Sequence, residues 1–249
     1  MKNLYRIYQL FVALPLFILV TIATCLFIII GCTFFNGHFW GYWPGVLWGK
    51  AICRIFLLPV RVEGQENLKE SQSYVYVANH QGSFDIFLIY GYLGRNFKWM
   101  MKRTLRQLPL VGKASESAGH IFVDKRGPKA VQKTYDSARR VLRGGTSLAV
   151  FPEGARTFTG KMGVFRKGAF QLAEELNLPV VPVTLNGCFQ VLPRTRGFGF
   201  IDWHPLTLKI HAPIPTEGRE MKEVMDEAYQ AVMQGLPAHL QGYQENPDQ

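Results

Sequence analysis

The chain begins with a long segment that carries no charge. From Leu10 to Phe35, twenty-six residues include no Lys, Arg, Asp or Glu. A helix of that length reaches roughly 39 Å, which exceeds the hydrocarbon core of a bilayer, about 30 Å thick. The segment therefore predicts a membrane helix. A buried core helix is one alternative. A cleaved signal peptide is another, but this run is longer than its usual apolar region and lacks a convincing cleavage site.

A second, more aromatic segment follows from Phe39 to Leu58. Lys50 and Arg54 are its only charges, and it carries a cluster of aromatic side chains typical of the headgroup interface, namely Trp40, Tyr42, Trp43 and Trp48. Residues 1–58 are thus predicted to form an N-terminal apolar two-helix membrane element. A true span and a hairpin within one leaflet both fit. Basic residues flank both segments, which slightly favours a hairpin with both ends on one side.

After Pro59 the pattern changes to short apolar runs that alternate with helical stretches. The predicted strands are Tyr74–Ala78, Lys98–Met101, Ile121–Val123, Leu148–Phe151, Val180–Leu185 and Leu206–His211. The predicted helices are Phe84–Leu93, Pro128–Leu142, Gly168–Leu176 and Glu220–Met233. This alternation indicates that residues 59–249 form an α/β domain with a mostly parallel sheet flanked by helices. In such a domain, functional groups gather in the loops that follow the strands.

Charge is concentrated in one part of the chain. The 249 residues have a net charge of +10, and the stretch from Arg95 to Arg143 holds thirteen Lys or Arg against three acids, which accounts for all of it. Such a block favours anionic partners: phosphorylated substrates, anionic lipid headgroups, an acidic carrier protein or nucleic acid. The four cysteines show no CxxC spacing, so disulfide and zinc sites are poorly supported.

The first chemical candidate is the stretch from Asn79 to Asp85, placed where a strand ends and a helix begins. His80 can accept a proton from a hydroxyl, and a carboxylate on its other ring nitrogen fixes the tautomer and stabilises the imidazolium. Ser83 fits a helix N-cap, and Asp85 falls in the first helical turn, so the two side chains can converge. The alternative is a capping Asp and a turn His without a catalytic role.

Two further candidates are a tight turn and a basic stretch. The sequence from Phe151 to Arg156 follows an apolar strand, and its Pro and Gly favour a turn that presents Glu153 beside Arg156, a geometry suited to a hydroxyl or phosphate. The basic stretch includes Lys102, Lys125 and Arg126 near strand ends, where cations can hold phosphate. The alternatives are an ordinary structural turn and a solvated charged face.

These segments, in this order, resemble the glycerolipid acyltransferase family, specifically the 1-acylglycerol-3-phosphate acyltransferases. The family's Asn-His-x4-Asp block is present as NHQGSFD, and its Gly-x-x-Phe-x-x-Arg-like strand as GHIFVDKR. Its Phe-Pro-Glu-Gly-Thr-Arg block is present as FPEGAR, and its Val-Pro-Val-like strand as PVVPV at Pro179 to Val183. The resemblance covers Asn79 to Val183.

The resemblance implies a fatty acyl transfer from acyl-CoA or acyl carrier protein to the sn-2 hydroxyl of 1-acylglycerol-3-phosphate, giving phosphatidic acid. It implies that His80 is the general base and Asp85 its orienting partner. It also assigns acceptor binding to Glu153 and Gly154, and the acceptor phosphate to Lys102, Lys125, Arg126 and Arg156. No cofactor, metal or nucleic acid is expected. The protein is expected at a membrane, the cell inner membrane if bacterial, with its catalytic domain facing the cytosol.

Several departures from the family pattern leave the acceptor open. Gly82, Thr104, Lys125 and Ala155 stand where Ser, Glu, Arg and Thr are usual. Another lysolipid acceptor is therefore one alternative, and a non-enzymatic module that anchors in the membrane and binds anionic lipid is another. A serine hydrolase is disfavoured because the chain has no Gly-x-Ser-x-Gly elbow, and no phosphate-binding loop of a nucleotide enzyme matches.

Overall fold

The computed structural model describes residues 2–123, 127–142, 145–197 and 199–243. Its strands are β1 (Val60–Glu63), β2 (Val75–Ala78), β3 (Phe97–Lys102), β4 (Ile121–Val123), β5 (Ser147–Val150), β6 (Val180–Asn186) and β7 (Leu206–Ile210). Its helices are α1 (Lys2–Tyr8), α2 (Leu14–Phe34), α3 (Gly37–Trp40), α4 (Trp43–Ile55), α5 (Asp85–Tyr92), α6 (Val111–Ser117), α7 (Pro128–Val141), α8 (Gly168–Glu175), α9 (Cys188–Val191) and α10 (Met221–Gln234).

The seven strands form one sheet in the order β1-β7-β6-β2-β5-β3-β4. Neighbouring strands are parallel except β6 and β7, which are antiparallel. The prediction of a mostly parallel α/β sheet is confirmed. The central strands β2 and β5 are fully buried, as expected for strands covered by helices on both faces. The sequence patterns did not predict β1, α6 or α9.

Two hydrophobic cores lie on the two faces of the sheet. One joins α4 and α5 to side chains such as Tyr74, Tyr76 and Phe97. The other joins α7, α8 and α10 to side chains such as Val75, Val77 and Leu148. Alternate residues of β2 thus point to opposite cores, as the pleat requires. The division predicted after Leu58 stays a prediction, and α4 packs into the same core as the domain that follows it.

The N-terminal helix runs from Lys2 to Phe34 with a π-helical turn at Gln9–Ala13. Its length and hydropathy would allow it to cross a membrane, and most of its apolar side chains are exposed. The helix packs along the domain, where Cys25 and Ile28 contact Ala114 of α6 and Ala118, the residue that follows α6. The indole N–H of Trp48 in α4 also donates a hydrogen bond to Thr21 Oγ1 at 3.0 Å.

The contact between α4 and α5 depends on two glycines. A Cβ atom on Gly49 would lie 2.5 Å from the carbonyl oxygen of Phe87 and 2.6 Å from the backbone nitrogen of Gly91. A Cβ atom on Gly91 would lie 2.9 Å from the backbone nitrogen of Lys50. Only glycine therefore permits this approach, which joins α4 to the helix that carries Asp85.

We expect Gly49→Ala to destabilise the protein by about 1 to 3 kcal/mol, because the added methyl group meets backbone atoms that cannot move aside cheaply. The measurement is the unfolding midpoint in detergent. Gly37→Ala is the matched control, since a Cβ atom there meets no atom within 4 Å. Equal midpoints for the two variants would contradict the tight contact between α4 and α5.

Candidate active site

The candidate site lies where β2 and β5 end, at the same edge of the sheet. His80 follows β2, and Phe151 follows β5. The buried side chain of Asn79 fixes the end of β2 against β6: its Nδ2 donates to the Leu185 carbonyl at 2.9 Å, and its Oδ1 accepts from the Leu185 N–H at 2.8 Å. This amide continues the β2–β6 pairing with a side chain, so the backbone that carries His80 is held in place.

His80 and Asp85 are brought together as predicted. The distance between His80 Nδ1 and Asp85 Oδ2 is 2.7 Å, and the Asp85 side chain has no solvent exposure. The same carboxylate oxygen accepts a hydrogen bond from the Gly82 N–H at 2.9 Å. With Asp85 accepting the Nδ1 proton, Nε2 is the nitrogen left with a lone pair to accept a proton from another molecule.

Aromatic stacking fixes the plane of the imidazole. The ring of His80 lies on that of Phe151, with 3.9 Å between the centroids and 6° between the planes. Trp99 stacks on Phe151 from further inside the core, at 5.2 Å and 27°. Rotation of the His80 ring would lose both this stack and the bond to Asp85, so the histidine is held in one orientation.

Glu153 is almost wholly buried, with 1% of its surface exposed. Its Oε1 accepts the His80 N–H at 2.7 Å, and its Oε2 accepts the Gly163 N–H at 2.8 Å. Burial raises the pKa of Glu153 from its ordinary 4.5 to about 8, although the two N–H donors act in the opposite direction. Both oxygens therefore face the protein backbone, and the carboxyl group fastens the His80 loop to the Phe151 turn.

Arg156 lies beside the histidine loop. Its Nη1 donates to Ser83 Oγ at 2.5 Å, and its carbonyl oxygen accepts from Arg194 Nη1 at 3.4 Å. Arg194 also lies over the Phe158 ring, 4.4 Å from its centroid. Burial and the neighbouring charge of Arg194 lower the pKa of Arg156. Two guanidinium groups thus lie near the helix start that carries Asp85.

The other predicted site residues are less closely joined to His80. Gly154 has a φ of +76°, as the tight turn requires, and its N–H donates to the Phe151 carbonyl. Lys102 is exposed at the end of β3, two strand spacings or about 10 Å across the sheet from β2. No hydrogen bond or ion pair joins Lys102 to another predicted site residue that the structure describes. Lys125 and Arg126 lie outside the described residues.

Three contributors to this site were not predicted from the sequence. Asn79 belongs to the NHQGSFD motif and Phe151 to the FPEGAR motif. Membership of a motif was the only sequence signal for their roles. Glycine is favoured at position 82 for a steric reason that motif spacing does not reveal. A Cβ atom there would lie 2.4 Å from the carbonyl oxygen of Cys188. A serine at this position would require the segment after β6 to move away.

The arrangement can remove a proton from a hydroxyl group and hold an anion nearby. His80 and Asp85 supply an oriented general base, and Arg156 supplies a charge and several N–H donors. In the part of the chain that the structure describes, no cluster of three or more His, Cys, Asp or Glu side chains could hold a metal ion.

Known proteins resemble this chain in both sequence and fold. A family model for acyltransferases matches residues 59–186. The chain is 34% identical over 62% of its length to the chloroplastic 1-acyl-sn-glycerol-3-phosphate acyltransferase LPAT1 of Arabidopsis thaliana, of which it covers 43%. It is 32% identical over 79% of its length to a 1-acyl-sn-glycerol-3-phosphate acyltransferase of Chlamydomonas reinhardtii, of which it covers 58%. The chain thus spans about half the length of these relatives.

A solved structure shows the same fold over nearly the whole chain. The crystal structure of the 1-acyl-sn-glycerophosphate acyltransferase PlsC from Thermotoga maritima superposes with a TM-score of 0.78 at 24% identity. The superposition covers 93% of this chain and 95% of that one. Because the family model spans more than half of the residues, including His80, Asp85 and the Phe151 turn, the chain belongs to the acyltransferase family.

Proposed function

We propose that this protein transfers a fatty acyl group from acyl-CoA or acyl carrier protein to the sn-2 hydroxyl of 1-acylglycerol-3-phosphate, giving phosphatidic acid. The observation that carries the proposal is the 2.7 Å contact between His80 Nδ1 and the fully buried Asp85 carboxylate. Such a pair is the geometry of a general base. The Arabidopsis and Chlamydomonas relatives, both named 1-acyl-sn-glycerol-3-phosphate acyltransferases, support the choice of acceptor.

The reaction needs one proton to move twice. His80 Nε2 takes the proton of the acceptor hydroxyl as its oxygen attacks the thioester carbonyl carbon, and the buried Asp85 carboxylate stabilises the resulting imidazolium. The tetrahedral intermediate collapses with cleavage of the carbon–sulfur bond. The leaving thiolate then receives the proton from His80. No acyl-enzyme forms, because the acceptor oxygen attacks the donor directly.

Arg156 is the residue we assign to the acceptor phosphate among the described candidates. Its contact with Ser83 places the guanidinium beside the histidine loop, and a guanidinium can bind a phosphate through two N–H groups. Contacts of Lys102, Lys125 and Arg126 with the phosphate stay predictions, as do those of Glu153 and Gly154 with the acceptor. The hydrogen bonds that Glu153 accepts from the His80 and Gly163 N–H groups support a positioning role instead.

Membrane association gives the enzyme access to its lipid acceptor. The apolar N-terminal helix packs on α4, α6 and the domain along its length, and α4 spans only about 20 Å, less than the roughly 30 Å of a hydrocarbon core. These features favour a helix pair within one leaflet over a span. The catalytic domain would then face the cytosol, where both acyl donors occur, at the inner membrane if the protein is bacterial.

We expect His80→Ala to lower kcat by about 10² to 10⁴-fold, because the acceptor hydroxyl loses its base. The measurement is transfer of a labelled acyl group from acyl-CoA or acyl carrier protein to lysophosphatidic acid in detergent. His239→Ala, which changes an exposed histidine in the C-terminal part, is the matched control. Full activity of His80→Ala would exclude this residue as the base. An inactive wild type would direct the assay to other lysolipids.

We expect Arg156→Gln to raise the KM for lysophosphatidic acid by roughly 10 to 150-fold, the equivalent of a charged hydrogen bond worth about 1.5 to 3 kcal/mol. The control is Arg61→Gln, because the exposed Arg61 lies on the edge strand β1, three strand positions from β2. Activity toward monoacylglycerol, which lacks the phosphate, should change little. An equal loss with both acceptors would show that Arg156 does not act through the phosphate.

Glu153→Gln tests the buried acid through the pH dependence of stability. The pKa of Glu153 is about 8 in the folded protein and 4.5 ordinarily. Between these two pH values the carboxyl group is therefore protonated in the folded protein and ionised in the unfolded chain. The contribution of Glu153 to the free energy of unfolding should therefore fall as pH rises through this window and level off above it. The difference between wild type and variant isolates this residue, and a difference that increases with pH contradicts the raised pKa.

A further inference from the structure

Residues 199–203, here called the 199–203 loop, join the candidate site to the N-terminal helix. On the site side, Pro193 pairs with Gly82, and Arg194 donates to the carbonyl of Arg156. The Asp202 N–H donates to the Val191 carbonyl at 3.0 Å, which ties the loop to α9. The loop therefore lies between the acceptor side of the site and the membrane element.

A buried glutamine clamps the loop to the helix. Gln9 opens the π-helical turn and is only 3% exposed, although it belongs to an apolar helix. Its Nε2 donates to the Ile201 carbonyl at 3.0 Å, and its Oε1 accepts from the Ile201 N–H at 2.9 Å. Both polar ends of the amide are satisfied by one residue, so separating the loop from the helix would break both hydrogen bonds of a buried side chain.

The outer side of the loop is apolar. Phe200 is 42% exposed and Trp203 is 55% exposed. The indole N–H of Trp203 donates to the Leu57 carbonyl at 2.7 Å, which leaves the ring facing outward. Leu57 is itself 54% exposed and has a φ of +56°, an unusual conformation for leucine.

This surface is continuous with the exposed side of the N-terminal helix. The Arg6 guanidinium lies 5.7 Å from the centre of the Phe200 ring, and exposed Ile7 and Phe11 follow along the helix. The loop's only acid, Asp202, is ion-paired with Arg196 at 2.7 Å. Exposed tryptophan and phenylalanine with neighbouring arginines match the composition of a membrane interface.

We propose that the 199–203 loop is a second membrane-contact element, with Phe200 and Trp203 inserted among the headgroups of the leaflet that holds the N-terminal helix. This inference rests on the membrane association proposed above. Because the loop is held by Gln9 on one side and is bonded on the other to Val191, three residues before Arg194, its contact with lipid sets the height of Arg156 and His80 above the acyl chains.

The test is fluorescence quenching by lipids with spin labels at known depth. An environment-sensitive fluorophore is attached to Phe200→Cys or Trp203→Cys in the full chain, with the half-exposed Cys32 changed to Ser, in vesicles containing phosphatidylglycerol. Phe11→Cys on the helix is the positive control. Lys222→Cys is the negative control, because α10 lies on the other face of the sheet.

We expect quenching at positions 200 and 203 that is comparable with position 11 and several-fold above position 222. Quenching at position 11 alone overturns the loop contact but leaves membrane association intact. No quenching at position 11 overturns the association itself. Should the labelled variants fail to fold, Trp203→Phe provides a second test, since it should remove a lipid-quenched part of the wild-type tryptophan emission. Identical quenching of the two proteins would also overturn the loop contact.

Discussion

The buried carboxylate of Asp85 is the constraint on which the site depends. A charge with no solvent exposure must be paired, and one oxygen of this carboxylate accepts both His80 Nδ1–H and the Gly82 N–H. The loop also lies close to the segment after β6, where a Cβ atom on residue 82 would be 2.4 Å from the carbonyl oxygen of Cys188, so this position favours glycine. The orientation of the His80 ring and the path of the loop are thus both linked to the buried Asp85 side chain.

The same loop is supported from two other directions. Asn79 holds it to β6, and Glu153 holds the His80 N–H to the turn after β5. Burial raises the pKa of Glu153 to about 8, which favours the uncharged form of this carboxyl group. The glycine contact between α4 and α5 then connects the helix that begins at Asp85 to the apolar N-terminal segment.

Sequence patterns placed the predicted strands and helices after Pro59 closely, in buried and half-exposed segments alike. The apolar runs at β2, β5 and β6 and the helices α7, α8 and α10 were placed within one or two residues. The pattern missed β1, because its alternation of apolar and charged residues extends over only four positions, and α6, because its packing on α2 is tertiary. Spacing predicted the meeting of His80 and Asp85. The stacking of Phe151 and the inward direction of Glu153 depend on neighbouring strands, which no local pattern reveals.

The proposed His80–Asp85 base is tested most directly by a double-mutant cycle of His80→Ala and Asp85→Asn. The quantity measured is kcat for acyl transfer to lysophosphatidic acid. If Asp85 acts through the imidazole, removing it costs nothing further once the histidine is gone. The double variant should then retain the kcat of His80→Ala alone, although Asp85→Asn by itself is severely impaired. Losses that multiply in the double variant would show that the two residues act independently, which contradicts an oriented His80–Asp85 base.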